Sequence, residues 1–242
     1  MGQRNDLKIV KNKSNGNGSR RLLHTGAALF SLSLIGLALL FLPVLGEELN
    51  YLVNKKGYGA NIQTISKDST NKNINDFLSN FQPYNEDSIY IPKIGAKAKI
   101  LKNIDPFNSE EYGTALKYGV AHAKGSDYPT SGLSLGTNTF VFAHSTDGLI
   151  NVNKYNAIFY LLYKLAPTDE IYLKFSESQK NFINKYSVSE VKIVGPKELA
   201  YLKTLEGYED KNTLTLMTCW PAGTTLKRLV VIATLSETIA VE

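Results

Sequence analysis

The sequence has little cysteine and no regular repeat, and both absences narrow the possible folds. Its single cysteine, Cys219, cannot form an internal disulfide, and no CxxC pair or Cys/His cluster could hold a structural zinc ion. The absence of a repeat of fixed period argues against a propeller or a solenoid. With 43% hydrophobic and 20% charged residues among 242, the composition instead fits one globular domain with additional segments.

Most of the chain also lacks an excess of charge of either sign. The formal net charge is +5, from 27 Lys and Arg residues against 22 Asp and Glu residues. The first 21 residues contain six basic residues and one acidic residue, Asp6, so the remainder has 21 residues of each sign. Because the excess charge lies in the N-terminal tail, we expect no nucleic-acid-binding surface on the folded part.

One long segment lacks charge altogether. From Leu22 to Gly46 there is no Asp, Glu, Lys or Arg, and about 20 apolar residues are enough for a helix to cross a bilayer. Basic residues precede this run, and Glu47 and Glu48 follow it. The positive-inside rule therefore predicts a single-pass anchor in the cell membrane, with the N-terminus in the cytoplasm and the rest of the chain outside.

Two other interpretations of this apolar run are a cleavable signal peptide, with small or short residues at 44–46, and a buried core helix. The run is longer than the usual core of a signal peptide, and it has no polar stripe at helical spacing. Both features favour an uncleaved anchor.

Composition divides the chain further. The segment after the anchor is rich in Asn, Lys, Ser and Asp and is typical of a stalk, with room for a short helix around Ile74–Phe81. The predicted organisation is a basic cytoplasmic tail (1–21), a transmembrane anchor (22–46), an extracytoplasmic stalk (47–87) and a folded domain (88–242).

The folded domain has the sequence pattern of a mainly β protein. Short β-branched and aromatic runs are separated by Gly, Pro, Asn and Asp, which predicts short strands with turns between them. Such a pattern favours a closed or nearly closed barrel with a few short helices. The predicted strands are 88–91, 98–100, 139–143, 170–175, 186–194, 213–218 and 228–238, and the predicted helical turns are 110–117, 157–162 and 197–202.

Cys219 and Arg228 flank one predicted loop. Pro221 and Gly223 interrupt two β-patterned runs, so pairing of those strands would place Cys219 at one strand's exit and Arg228 at the next strand's entry. A fixed positive charge favours the reactive thiolate and can stabilise an oxyanion. A lone cysteine is more often a small buried hydrophobe, but this one is the chain's only cysteine and lies beside a loop.

The histidine that transfers protons must be one of the three in the chain. His24 lies at the membrane boundary, whereas His144 ends the strand-like run 139–143. His122 lies in a predicted loop and is the weaker candidate. A Cys/His pair with an arginine would support nucleophilic acyl transfer through a thioester, with the histidine protonating the leaving amine.

Several ordered motifs resemble those of one family. The run Thr213–Cys219 (TLTLMTC), followed by Arg228-Leu229-Val230-Val231, resembles the TLxTC and Arg signature of the sortases, cysteine transpeptidases of bacterial cell envelopes. Ile89–Gly95 resembles their opening strand, and 115–122 and 142–145 resemble the segments leading to their catalytic histidine. The resemblance covers about residues 88–238.

This resemblance implies an eight-stranded sortase barrel and a role for each candidate residue. Cys219 would be the nucleophile, His144 the general acid and base, and Arg228 the group that stabilises the substrate carbonyl and the oxyanion. The sequence departs from the common family pattern at two positions. Ala143 replaces a glycine often found before the histidine, and the bulky Trp220 follows the cysteine, where it is expected to shape the entrance for the acceptor.

The resemblance also implies the partners. The substrates would be surface proteins or pilins with a C-terminal LPxTG-like sorting signal, and the acceptor would be an amine from a peptidoglycan precursor or a pilin lysine. By the same analogy, residues 195–212 would form a wall of the substrate groove. Two alternatives are an anchored barrel that binds without turnover and a protease of the same fold that releases its product to water.

No cofactor is expected. Some sortases bind calcium, but the acidic residues here match no regular ligand spacing, so solvated loop charges are the favoured interpretation. The acidic residues considered are Glu170, Glu190, Glu206, Glu209 and Asp210.

Overall fold

We describe the fold from a computed structural model of the chain. The helical residues up to Leu42 form one unit, and the residues from Pro43 onward form a second. The residues described are 16–60, 79, 86–130, 132, 135–146, 157–198 and 200–241.

The N-terminal part is a helix, α1, that runs from Gly16 to Ala60. It continues into residues 47–60 of the segment predicted to be a stalk, and the predicted division of the chain into tail, anchor, stalk and folded domain stays a prediction. Within the described part of the chain, no helix is both long and apolar enough to cross a membrane. The anchor over residues 22–46 stays a prediction. The short helix expected around Ile74–Phe81 lies outside the described residues, apart from Ser79.

The second unit contains a closed barrel of eight strands, as the family resemblance implied. Around the barrel the order is β1-β2-β3-β4-β7-β8-β6-β5, and β5 pairs with β1 to close it. The β2–β3 and β4–β7 pairs are parallel, and the other pairs are antiparallel. The strands are β1 (Ser88–Ile91), β2 (Ala96–Ile104), β3 (Val120–Ala123), β4 (Asn138–Phe142), β5 (Glu170–Glu177), β6 (Lys180–Val194), β7 (Thr213–Trp220) and β8 (Lys227–Val241).

One strand and two helical turns differ from the sequence prediction. β3 (Val120–Ala123) is absent from the sequence prediction, which assigns its residue His122 to a loop. All four β3 residues are buried between β2 and β4, so this short strand shows no alternation of polar and apolar residues. The helix predicted at 110–117 is present as α2 (Ser109–Ala115). The other two predicted turns are 3-10 helices, Tyr160–Lys164 and Ala200–Leu202.

Two hydrophobic clusters lie on opposite faces of the strands β4, β7 and β8. The main core cluster fills the barrel and includes Val141, Leu216 and Val231. A second, smaller cluster lies on the outer face, where Phe140 and Val230 pack with residues of the connection between β6 and β7. Because side chains alternate along a strand, every second residue of these strands belongs to the outer face.

A buried carboxylate ties the start of the barrel to its neighbours. Asp87 is 6% exposed and accepts hydrogen bonds from the Tyr128 hydroxyl (2.6 Å) and the Ser176 backbone N–H (3.0 Å). It also forms an ion pair with Lys102. Burial and the bond to Asp87 raise the pKa of Tyr128, so its hydroxyl remains a donor at neutral pH. Asp87 thus joins β1, β2, β5 and the β3–β4 connection.

A glycine is required where β3 begins against β2. A Cβ atom on Gly119 would overlap the carbonyl oxygen of Lys99 and approach two side chains closely, whereas a Cβ on Gly113 in α2 would contact nothing within 4 Å. We predict that Gly119→Ala lowers the free energy of unfolding by about 1–3 kcal/mol because the two strands must separate. Gly113→Ala, the matched control, should be neutral or stabilising by up to about 1 kcal/mol. Urea unfolding measures both values, and equal effects would contradict the packing described.

Candidate active site

The site is built on β7, which lies between β4 and β8. Met217 is opposite Phe142 in the parallel pair with β4, and Cys219 is opposite Arg228 in the antiparallel pair with β8. The predicted pairing of the strands that flank residues 221–226 is therefore confirmed. Cys219 and Arg228 are neighbours because of strand register alone.

Alternation places the candidate residues on the outer face. Cys219 lies two residues beyond Met217, and Arg228 two residues before Val230, and Met217 and Val230 both belong to the outer cluster. His144 lies two residues beyond Phe142 and so follows the same parity. Side chains at alternate positions of one strand share a face, so all three candidates are presented on the same side of the sheet.

A cavity of about 630 Å³ covers this outer face, and Cys219, His144 and Arg228 all line it. Cys219 is a free thiol and is half-buried, as are the other two residues. The structure therefore brings together all three residues that the sequence singled out.

The cavity has an apolar floor and two walls. Phe140, Phe142 and Met217 form the floor. Tyr112 of α2 and Phe107, in the turn before α2, form one wall. The loop between β7 and β8 closes one end of the cavity. The other wall comes from the β6–β7 connection, as the resemblance implied, and contains Pro196, Lys197, Glu198, Tyr201 and Leu202.

A buried asparagine attaches this second wall to the sheet. Asn138 is fully buried, and its Nδ2 donates to the Tyr201 carbonyl at 2.5 Å. Its Oδ1 accepts from the hydroxyls of Thr213 and Thr215, each at 2.9 Å. Thr204 adds a bond from its hydroxyl to the Gly136 carbonyl at 2.6 Å. Asn138 could not be found from the sequence, because a lone asparagine in a strand gives no signal before its partners are known.

A second missed residue joins the strand ends that carry His144 and Cys219. The Thr218 hydroxyl is buried and donates to the Ala143 carbonyl at 2.9 Å, and the Ala143 N–H donates to the Met217 carbonyl at 3.2 Å. These bonds fix the residue before the histidine to the two residues before the cysteine. The signal was present in the TLxTC resemblance, which includes this threonine.

Arg228 is held at the loop end of the cavity. Its Nη1 donates to the carbonyls of Thr225 (3.2 Å) and Lys227 (3.0 Å). The guanidinium carries a permanent positive charge, so it contributes a fixed electrostatic field beside the thiol.

His122 lies in a different environment. It is 4% exposed, its Nδ1 accepts from the Asn103 backbone N–H at 3.1 Å, and its Nε2 lies 3.2 Å from the Asp127 carbonyl and 3.0 Å from the Ser126 hydroxyl. Burial lowers the pKa of His122. A neutral ring with its proton on Nε2 satisfies these partners, so His122 is a structural residue of the barrel.

Trp220 does not shape the cavity entrance as the sequence suggested. It follows Cys219 and so has the opposite parity, and its ring packs beside the main core cluster, 5.5 Å from the ring of Tyr163. Among the described residues, Trp220 is absent from the cavity lining.

The acidic residues considered for calcium are dispersed. Glu170 pairs with Lys185, Glu190 pairs with Lys192, and Glu209 accepts from the Gly207 backbone N–H, a bond that lowers the pKa of that carboxyl. In the part of the chain that the structure describes, no three His, Cys, Asp or Glu side chains are grouped closely enough to hold a metal ion.

Comparisons with known proteins agree with the fold. Residues 89–236 match a family model described as the sortase domain. No curated protein matches the sequence. One similar solved structure is a lid mutant of sortase A from Corynebacterium diphtheriae, with 24% identity and a TM-score of 0.50; the alignment covers 78% of this chain and 92% of that chain. Another is sortase C-1 from Actinomyces oris, with 21% identity and a TM-score of 0.50; the alignment covers 78% of this chain and 98% of that chain.

A third similar structure is sortase C1 of GBS pilus island 1, with 23% identity and a TM-score of 0.49. The alignment covers 62% of this chain and 64% of that one. The chain thus spans less than two thirds of that protein's length.

The buried His122 generates a prediction for stability against pH. Its pKa in the folded state lies below the usual value of about 6.5, so the unfolded chain takes up a proton first as the pH falls. The free energy of unfolding therefore falls progressively below pH 6.5, by at most about 1.4 kcal/mol per pH unit from this group.

We expect the free energy of unfolding of His122→Gln, measured by urea unfolding, to decline less steeply between pH 7 and 5. The exposed His24→Gln serves as control and should keep the original slope. An unchanged slope in His122→Gln would contradict this assignment.

Proposed function

The chain belongs to the sortase family of cysteine transpeptidases, and from that membership we propose that it cleaves an LPxTG-like sorting signal through a thioester on Cys219. The observation that carries the proposal is the meeting of Cys219, His144 and Arg228 in one cavity. In the first half-reaction, the Cys219 thiol passes its proton to His144, and its sulfur attacks the backbone carbonyl carbon of the signal's threonine. His144 gives that proton to the leaving amine, the peptide C–N bond breaks, and the thioester forms.

The second half-reaction reverses these roles. An amine of the acceptor attacks the thioester carbonyl, His144 accepts its proton, and the Cys219 sulfur leaves as the new amide forms. Arg228 stabilises the negative oxygen that develops in both steps, since a fixed positive charge in a partly desolvated cavity is worth more than one in water.

The cavity's shape and polarity support a peptide substrate of this type. Leucine and proline side chains are apolar and would lie against the floor of Phe140, Phe142 and Met217, while the polar backbone of the signal would face Arg228. The hydrogen bonds of Asn138 keep the Tyr201 wall in place before substrate arrives, which reduces the ordering cost of binding.

The place of action is also a proposal. We place residues 22–46 in the cell membrane, with the barrel on the outer side. The uncharged run, the basic residues before it and the two glutamates after it support this topology. The described side chains of residues 22–38 are exposed, including the large apolar Leu29, Phe30 and Leu32, and exposed apolar surface of this extent is typical of lipid or protein contact. The substrates would be surface proteins or pilins, and the acceptor a peptidoglycan precursor amine or a pilin lysine.

Intact-mass spectrometry of the full chain in detergent tests the chemistry. Incubation with an LPxTG-type peptide should add the mass of the peptide's N-terminal fragment to Cys219, and triglycine should remove that mass and yield ligated peptide. Cys219→Ala should give neither product. His144→Gln should slow adduct formation by about 10²-fold or more, because it removes the proton-transfer group. His122→Gln, the matched histidine control, should retain the wild-type rate.

Three results would contradict the proposal. Adduct formation that survives Cys219→Ala would exclude this nucleophile. Product release that is independent of the amine would identify a protease rather than a transpeptidase. A thiol that forms no adduct with any member of a degenerate peptide library would favour a binding module.

A further inference from the structure

Behind the cysteine, on the inner side of β7, lies a cluster that the proposed chemistry does not use. Trp220 is the last residue of β7 and is half-buried. Its ring lies 5.5 Å from that of Tyr163 at an interplanar angle of 48°. Tyr163 belongs to the 3-10 helix Tyr160–Lys164, which packs on the barrel through buried Leu161 and Leu162.

Tyr163 connects Trp220 to the C-terminal part of α1. The Tyr163 hydroxyl donates to the Glu48 carboxylate, and the Lys164 ammonium lies 3.2 Å from the other oxygen of that carboxylate. Tyr51, one helical turn after Glu48, is 6% exposed and belongs to the main core cluster. The Lys164 ammonium lies 4.7 Å from the centre of the Tyr163 ring and 5.4 Å from that of Tyr51. We call Glu48, Tyr51, Tyr163 and Lys164 the rear cluster.

The Tyr163–Glu48 hydrogen bond and the Lys164–Glu48 ion pair are charge-assisted and partly buried. The carboxylate of Glu48 and the side chain of Lys164 are 26% and 27% exposed, so their charges are partly shielded from water. A hydrogen bond to an ionised acceptor in such a place is shorter and stronger than a neutral one. Burial, with the bond to Glu48, raises the pKa of Tyr163 and keeps its hydroxyl a donor at neutral pH.

The position of Trp220 makes this cluster relevant to Cys219. The pair Trp220 and Lys227 is the last one between β7 and β8, and the pair Cys219 and Arg228 is the one before it. Strand ends open locally more easily than strand centres. Packing of the Trp220 ring from behind therefore opposes opening at the position where Cys219 must stay opposite Arg228.

We propose that Glu48 and Tyr51 of α1 are positioning residues for Cys219, which act through Tyr163 and Trp220. The inference rests on the proposed function, because it concerns the reactivity of that cysteine. It extends the functional unit to residue 48, well before the region matched by the family, which begins at residue 89. The segment that directly follows the proposed anchor thus becomes part of the machinery that holds the nucleophile.

A matched control exists on two strands of the barrel that do not pair with β7. The Tyr172 hydroxyl donates to Glu170 at 2.5 Å, and Lys185 forms an ion pair with the same carboxylate, with its ammonium 5.9 Å from the centre of the Tyr172 ring. This trio has the chemistry of the rear cluster but lies on β5 and β6. Tyr172→Phe therefore removes an equivalent hydroxyl without altering what packs behind Cys219.

The experiment compares Tyr163→Phe with Tyr172→Phe in the full chain in detergent. The readouts are the rate of Cys219 alkylation by iodoacetamide across pH, kcat and KM for cleavage of an LPxTG-type peptide, and the melting temperature. We expect Tyr163→Phe to lower kcat by about 5- to 20-fold, because misplacement of a reacting group chiefly slows the chemical step. The alkylation rate at Cys219 should change as well, and KM should stay within about twofold of the wild-type value. Tyr172→Phe should leave kcat and alkylation unchanged at a similar melting temperature.

A second variant tests the route through the hydrogen bond. Glu48→Gln should reproduce the loss in kcat, and the double variant with Tyr163→Phe should be no slower than the slower single variant, because both remove the same bond. Equal alkylation rates and equal kcat in Tyr163→Phe and Tyr172→Phe would overturn the proposal. If the wild type cleaves no sorting peptide, the proposed function fails, and the alkylation comparison alone still decides whether the rear cluster positions Cys219.

Discussion

The pairing of β7 with β4 on one side and β8 on the other is the constraint on which the site depends. This strand has a parallel neighbour that ends near His144 and an antiparallel neighbour that begins near Arg228. A shift of one residue in either pairing would turn a reacting side chain to the opposite face, since side chains alternate along a strand. Two sets of buried polar bonds keep this register, one from Thr218 to Ala143 and one from the threonines of β7 to Asn138.

Because side chains alternate between the two faces of β7, the residues around Cys219 have different roles. Met217 and Cys219 belong to the outer face, so one supplies apolar floor and the other a thiol in the cavity. Thr218 and Trp220 hold the strand in place. The Thr218 hydroxyl bonds the carbonyl of the neighbouring Ala143 at the cavity lining, and the Trp220 ring packs with Tyr163 beside the main core cluster. Residues that supply chemistry and residues that support them thus alternate along one strand.

Much of this arrangement could be predicted from sequence because it is local. The runs that form β7 and β8, the loop between them and the strand-like run before His144 are visible as patterns, and parity then places the three residues. The strand β3 was missed because its four residues are all buried and show no alternation, and with it the structural role of His122. The parts of the site made by contacts distant in sequence, such as Asn138 with Tyr201 or Tyr163 with Glu48, have no local signature. The expected role of Trp220 at the cavity entrance was wrong because Trp220 is next to Cys219 in sequence, and neighbouring residues of a strand point to opposite faces.

The most direct measurement is kcat/KM for sorting-peptide cleavage by His144→Ala, Arg228→Ala and the double variant. If the two residues serve one transition state beside Cys219, each single variant should lose about 10²-fold or more, and the double variant should be little worse than the slower single variant. Losses that multiply in the double variant, or a single variant with the wild-type rate, would show that these residues do not act as one unit and would contradict the site described.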